Sequence, residues 1–151
     1  MYFVRWSGIM VRAARIRAML VRWLEPKSLG ARGEAAAARY LKRQGYKVIS
    51  RGGRSPFGEL DIIAVDGRTV VFVEVKTRSS HDAGHPTEAV GRDKQQRLTR
   101  LALGFLKRHE LLEHPARFDV VAVTWPTGAK QPAIEHFKNA FPATGQGQMF
   151  S

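Results

Sequence analysis

The sequence contains no cysteine. This absence excludes a disulfide scaffold, a thiol nucleophile and a cysteine-ligated zinc or iron–sulfur site, so any bound metal must be held by oxygen or nitrogen atoms. It also fits a reducing compartment, and we expect the protein to be cytoplasmic. With 151 residues, of which 44% are apolar, the chain suits one domain with a hydrophobic core.

Acidic residues are scarce, because 13 Asp and Glu stand against 25 Lys and Arg. The imbalance is concentrated in residues 1–51, which hold 12 basic and 2 acidic residues, whereas residues 52–151 hold 13 and 11. Such one-sided positive charge favours a polyanionic partner, with nucleic acid ahead of an anionic membrane surface. We expect DNA rather than RNA, no membrane, and allow for a homodimer.

Long apolar runs are also missing. Five arginines interrupt the apolar residues of segment 1–24, which excludes a membrane-spanning helix and a secretory signal there. We predict that residues 1–28 form a basic N-terminal extension, which is either an amphipathic helix that lies on anionic lipid or on phosphates, or a segment that is disordered or not translated. Residues 29–141 are expected to form the domain, and residues 142–151 a flexible tail.

A hairpin is the clearest structural signal in the chain. Asp66-Gly67 joins two strand-like runs, residues 59–65 and 68–78, and predicts a type I′ turn at these two residues. In that register Asp61 lies opposite Phe72, and Glu74 is its diagonal neighbour on the same face. The opposite face of the hairpin is apolar and should pack against a helix.

The elements around the hairpin predict the fold class. A helix is expected over residues 31–44, and a second one should begin with Asp93 as its N-cap. Further strands are predicted at residues 46–50, 117–125 and, more weakly, 133–137. This order predicts an α/β fold in which helices flank a central mixed sheet.

Carboxylates near the hairpin indicate a chemistry. Asp61, Glu74 and the inward-facing Glu34 together offer the hard oxygen ligands that Mg²⁺ or Mn²⁺ prefers. Lys76 shares the face of Glu74 and could stabilise a phosphoryl transition state, so these residue types suit phosphodiester hydrolysis. The alternative is a solvated strand face with a cross-strand ion pair.

Linked motifs in the chain resemble the bacterial YraN-type family, which is related to the PD-(D/E)xK nuclease superfamily and to archaeal Holliday-junction resolvases. The resemblance spans roughly residues 29–141. The main motifs are Gly33-Glu34, Gly45-Tyr46, Gly58 to Ala64, Val73 to Arg78 and Arg117 to Val123. One difference is that Leu60, and not proline, precedes Asp61.

The resemblance implies a restriction-endonuclease-like fold and assigns roles. Asp61 and Glu74 become metal ligands, Lys76 the catalytic lysine, and Glu34 a further carboxylate at the metal. Lys94 or Gln95 becomes the polar residue that the second helix contributes.

The implied function is a nuclease that depends on Mg²⁺ or Mn²⁺ and cleaves structured or branched nucleic acid. The alternative is a catalytically silent nucleic-acid-binding protein with the same fold. In either case we expect basic side chains to hold phosphates. These residues are Arg39, Lys42, Arg43, Lys47 and Arg51, with Lys94 and Gln95 from the second helix.

Overall fold

The structure, a computed structural model, describes residues 28–55, 58–82 and 84–145, with only the backbone of residues 54 and 55. The predicted N-terminal extension lies outside these ranges except for Ser28. Residues 146–151 of the predicted tail lie outside them as well.

Seven elements make up the described chain. They are α1 (Leu29–Arg43), β1 (Lys47–Ser55), β2 (Gly58–Asp66), β3 (Thr69–Arg78), α2 (Arg92–Arg108), β4 (Ala116–Thr124) and β5 (Ala133–Phe141). The strands form one sheet in the order β1-β2-β3-β4-β5. All neighbours are antiparallel except β3 and β4, which are parallel and are therefore joined by a crossover that contains α2. This confirms the α/β prediction, and the mixed sheet flanked by two helices is consistent with a restriction-endonuclease-like fold.

Helix α1 covers one face of the sheet. The Ser28 hydroxyl caps it by accepting a hydrogen bond from the Ala31 amide at 3.2 Å, and Gly45 at φ 91° turns the chain after its last residue. Its small buried side chains, Ala36, Ala37 and Ala38, pack on the apolar face of the hairpin. The predicted helix packing of this face is confirmed.

Helix α2 covers the other face, and its beginning differs from the prediction. Leu98, Leu101 and Leu106 pack against the sheet there. The helix begins at Arg92 with Gly91 as N-cap and without a side-chain cap, so Asp93 lies within the first turn and does not form the expected capping box. The predicted start was wrong by two positions because local capping signals compete with the geometry of the preceding loop.

The hairpin register also differs from the prediction. Asp66 pairs with Thr69, and Ile62 pairs with Val73, so the turn residues are Gly67 and Arg68. Of these two only Gly67, at φ 60°, has a positive φ, which is the sign pattern of a type II′ turn and not of type I′. The partners of each residue move by two positions, an even number, so Ile62, Ala64, Val71 and Val73 keep their predicted face beneath α1. Leu60 does not: it packs on the α2 face with Ile63, because regular pairing with β3 ends at Ile62 and the alternation is broken there.

Two strands are longer than predicted. β1 continues through Gly52 and Gly53, where a loop was expected. β5 continues to Phe141 past an irregularity at which Asn139 takes φ 48° and its amide donates to Asp119 Oδ1 at 2.9 Å. Because an ionised side chain of β4 holds this bend, the pattern of β5 alone could not reveal the pairing.

Candidate active site

The hairpin strands separate at Asp61. Regular pairing of β2 with β3 ends at Ile62 and Val73. Beyond this point the Asp61 carboxylate, through Oδ2, accepts a hydrogen bond from the Val75 amide at 2.8 Å. The side chain of Asp61 thus takes the place of a ladder bond, which holds its carboxylate against β3 beside Glu74.

Glu74 projects from β3 toward α2 and is paired with two lysines. Its side chain is only 5% exposed, yet its Oε1 atom accepts from Lys94 Nζ and lies 3.2 Å from Lys76 Nζ. Lys76 comes from the same strand face two residues on, and Lys94 comes from the first turn of α2. A helix and a strand therefore deliver two cations to one buried oxygen.

Negative charge at this point is incompletely balanced. Burial, followed by repulsion from Glu74, raises the pKa of Asp61 from its ordinary 3.8 to about 7, against the Val75 hydrogen bond and the charge of Lys94. Burial on its own would lower the pKa of Lys94, but the hydrogen bond and charge of Glu74 outweigh it and raise that pKa. The pair of carboxylates would gain from a further cation.

Glu34 approaches the same carboxylates from α1. Burial raises its pKa, with smaller contributions from Glu59 and Glu74, while Arg51 acts in the opposite direction. Its position depends on Gly33, because a Cβ at that residue would lie 1.8 Å from Thr77 Oγ1 on β3. This close approach of α1 to β3 sets Glu34 at the end of the sheet where the carboxylates lie.

A hard divalent cation fits part of this arrangement. Among the described residues, no three His, Asp or Glu side chains form a group that could hold a metal, so Glu34 does not complete a ready-made set with the other two. Asp61 and Glu74 by themselves are a suitable oxygen pair, since Mg²⁺ is commonly held by one or two carboxylates together with water and substrate phosphate. The raised pKa of Asp61 shows that its ionised form lacks a sufficient neutralising partner, which agrees with such a role.

The comparisons with known proteins assign this chain to a family. The sequence pattern of "Uncharacterised protein family UPF0102" matches residues 33–123, a range that includes Glu34, Asp61, Glu74, Lys76 and Lys94. The chain belongs to family UPF0102. This membership confirms the YraN-type resemblance of the sequence motifs.

Curated relatives support the same membership over most of their length. A UPF0102 protein of Rhodopirellula baltica is 48% identical over 124 residues, which cover 80% of this chain and 74% of the relative. One from Geobacter metallireducens is 47% identical over 118 residues, which cover 78% and 95%. In the described part of the UPF0102 chain, no helix is long and apolar enough to cross a membrane.

The predicted polar residues of the second helix have different roles in the UPF0102 structure. Lys94 reaches the site, whereas Gln95 donates through Nε2 to the Val90 carbonyl at 2.8 Å and so ties the start of α2 to the preceding loop. Of the two candidates, only Lys94 bonds a predicted site residue directly.

The predicted phosphate-binding residues are divided between two ends of the UPF0102 sheet. Arg51 pairs with Ile62 and acts electrostatically on Glu34, so it lies at the site. Lys42 is eight residues along α1 from Glu34, a separation of about 12 Å along the helix axis, and Lys47 pairs with Val65 near the hairpin turn. Arg39 and Arg43, like Lys42 and Lys47, are exposed.

Sequence reasoning missed two features of the UPF0102 site. One is that both lysines share the Glu74 oxygen; the spacing of Glu74 and Lys76 in the sequence indicated only the contact with Lys76. The other is the basic surface of α2 beyond Lys94, which was visible as three further arginines in the helix, Arg97, Arg100 and Arg108.

Proposed function

We propose that this UPF0102 protein is a nuclease that uses Mg²⁺ or Mn²⁺ to hydrolyse phosphodiester bonds in structured or branched nucleic acid, DNA in preference to RNA. The observation that carries the proposal is the pair of carboxylates, Asp61 and Glu74, where β2 and β3 separate, with two lysines on Glu74. Oxygen ligands beside cations at an open end of a sheet suit the transfer of a negatively charged phosphoryl group.

In this proposal Asp61 and Glu74 hold the divalent ion. When bound, such an ion lowers the pKa of water and neutralises charge on a phosphoryl oxygen. The Val75 amide keeps Asp61 Oδ2 at the edge of β3, so the carboxylate is oriented before any ligand arrives. Glu34, which interacts electrostatically with both, adds negative charge that favours cation binding.

Lys76 supplies a fixed positive charge to the reaction. Its ammonium lies 3.2 Å from Glu74 Oε1, which orients it at the site without burying it fully. A donor placed there can stabilise the negative charge that grows on the phosphoryl oxygens in the transition state. Lys94 can contact a phosphate of the substrate in the same way if it exchanges its bond to Glu74 for one to a phosphate oxygen.

A cleavage panel tests the proposal. Four-way junctions, flaps, duplex and single-stranded DNA, and the matching RNAs are incubated with Mg²⁺ or Mn²⁺ and wild-type protein. We expect cleavage of a branched or structured DNA, and Lys76→Ala should reduce its rate by about 10²-fold or more, with little change in affinity. Asp61→Asn should lower both cleavage and Mn²⁺ binding.

One observation favours a second function, that of a catalytically silent binding protein. Glu74 Oε1 is already satisfied by two ammonium groups, and the described residues contain no ready-made group of three ligands. In a protein that has lost catalysis, the two lysines could neutralise Glu74 in place of a metal ion and so preserve the fold. If wild type and Lys76→Ala are equally inactive on the whole panel yet bind structured nucleic acid alike, the binding function is the better account.

A further inference from the structure

Helix α2 has a basic surface that extends beyond Lys94, the residue that bonds Glu74 at the site. It carries six basic residues and one acidic residue, Asp93, over 17 positions, whereas α1 carries four and one over 15. Arg97, Arg100 and Arg108 are exposed, and none of them makes an ion pair with another described residue. With Lys94 they are called here the α2 cationic stripe.

Helical spacing places the members of the stripe on one side of α2. Lys94, Arg97 and Arg100 follow one another at intervals of three, and Arg108 lies 11 residues, about three turns, beyond Arg97. A Cβ at Gly104, between Arg100 and Arg108, would meet no atom within 4 Å, so the surface is open there. The stripe is about 21 Å long from Lys94 to Arg108.

The stripe begins at the candidate active site. Lys94 bonds Glu74, and the stem of Arg97 lies over the first residue of β2, since a Cβ on Gly58 would be 3.6 Å from Arg97 Cδ. Gly58 is three residues before Asp61, about 10 Å along the strand. The positive charge therefore begins beside the carboxylates and extends along α2 to Arg108, with no basic residue between Arg100 and Lys107.

The sheet makes α2, and not α1, the helix that faces a phosphate at these carboxylates. Glu74 is two residues beyond Phe72 and therefore shares its face of the sheet. The Phe72 side chain packs in the α2 core, and the Glu74 carboxylate contacts Lys94 of α2. Helix α1 packs on the other face, and its exposed Lys42 and Arg43 lie about 12 Å or more from Glu34 along the helix. Its basic end is therefore farther along α1 than the residue that approaches the carboxylates.

We propose that the α2 cationic stripe binds the phosphate backbone of the nucleic-acid strand that enters the active site, and that it contributes more to affinity than the basic end of α1. This inference rests on the proposed function and adds to it the surface that holds the substrate. One strand of a duplex carries a phosphate for about each 3.4 Å of axis, so about 21 Å of stripe spans roughly six phosphates. Four cations on this length match a polyanion without requiring any base contact.

The test compares two double variants of equal charge loss in the full chain. Binding of a fluorescein-labelled four-way junction DNA is measured by anisotropy, in EDTA, over a range of salt concentrations. Arg97→Gln with Arg100→Gln should make the negative slope of log affinity against log salt concentration shallower by about 1.8. If both proteins bind equally at 1 M salt, the variant then binds roughly 60-fold more weakly than wild type at 0.1 M. Lys42→Gln with Arg43→Gln should change the slope by less than half as much.

Two controls make the result specific. Arg97→Lys with Arg100→Lys keeps the charges and should restore the slope, and thermal melting checks that each exposed double variant is folded. Full retention of affinity and slope by the glutamine variant of α2, or a larger loss in that of α1, overturns the inference but leaves the nuclease proposal standing. Absence of salt-dependent binding by the wild type overturns the proposed function and this inference together.

Discussion

Removing the charge of Asp61 should stabilise the protein in the absence of metal. The pKa of this carboxyl is raised to about 7 from 3.8 by burial and by Glu74. The folded state therefore binds this proton more tightly than the unfolded state, and the contribution of Asp61 to stability is favourable at low pH and is lost as pH rises through about 7. A protein at pH 8 bears the full cost of the ionised group.

The size of this cost follows from the same pKa. The difference between about 7 and 3.8, at about 1.4 kcal/mol for each pH unit, corresponds to about 4 kcal/mol at most. Asp61 is partly exposed, so water screens part of the repulsion, and an asparagine oxygen can still accept the bond from the Val75 amide. We expect Asp61→Asn to raise the free energy of unfolding by about 1–2 kcal/mol at pH 8.

Chemical denaturation in EDTA and in millimolar Mn²⁺ provides the assay. In EDTA the variant should be the more stable protein, and in Mn²⁺ the wild type should gain stability that the variant does not, because only the wild type has both carboxylates to bind the ion. Asp82→Asn, in an exposed loop, is the matched control and should change stability by less than about 0.5 kcal/mol. A variant that is less stable in EDTA at pH 8, or that gains as much from Mn²⁺ as the wild type, would refute the reasoning.

Three further predictions concern neighbouring contacts. Lys94→Met removes the ammonium that competes for Glu74 and should raise Mn²⁺ affinity roughly tenfold by calorimetric titration; unchanged or weaker affinity, or an equal gain in Lys107→Met, would contradict this. Gly33→Ala should lower the free energy of unfolding by about 1–3 kcal/mol, because the added Cβ would clash with Thr77. Gly30→Ala is the control: its Cβ would meet no atom within 4 Å, so it should raise the free energy of unfolding by up to about 1 kcal/mol, and equal effects of the two variants would disprove the close approach. Asp119→Asn should cost about 3 kcal/mol at pH 7, and this deficit should shrink in acid denaturation below about pH 4 and not above it.

The last of these predictions depends on a buried network between β4 and β5. The Asp119 side chain is fully buried and bonds Arg117 Nε at 2.9 Å and His136 Nε2 at 2.8 Å. Burial alone would raise its pKa, but the hydrogen bonds from His136, Arg117 and the Asn139 amide lower it below the ordinary 3.8. Stability that depends on this charge is therefore present above that pH and is lost as pH falls through the lowered pKa.

The sequence was sufficient for the order of the elements and for the faces of the hairpin residues, Leu60 excepted. Alternation is a local property, so Asp61, Glu74 and Lys76 could be assigned to one face even though the register was wrong by two positions. The helix over residues 31–44 and the apolar surface beneath it followed from periodicity in the same way. Patterns of this kind survive small errors in pairing because they depend on neighbours along the chain.

Tertiary structure alone decided which charges meet. The two lysines on Glu74 are 18 residues apart in the chain and lie on different elements, and no local pattern specifies that the start of α2 reaches the end of β3. The same holds for Gly33: a side chain is excluded at this position because Thr77, on another element, lies too close. Spacing along the chain identified the residue types of the site, whereas the packing of two helices on opposite faces of the sheet determined that α2, with Lys94, contacts the carboxylates and that the basic end of α1 does not.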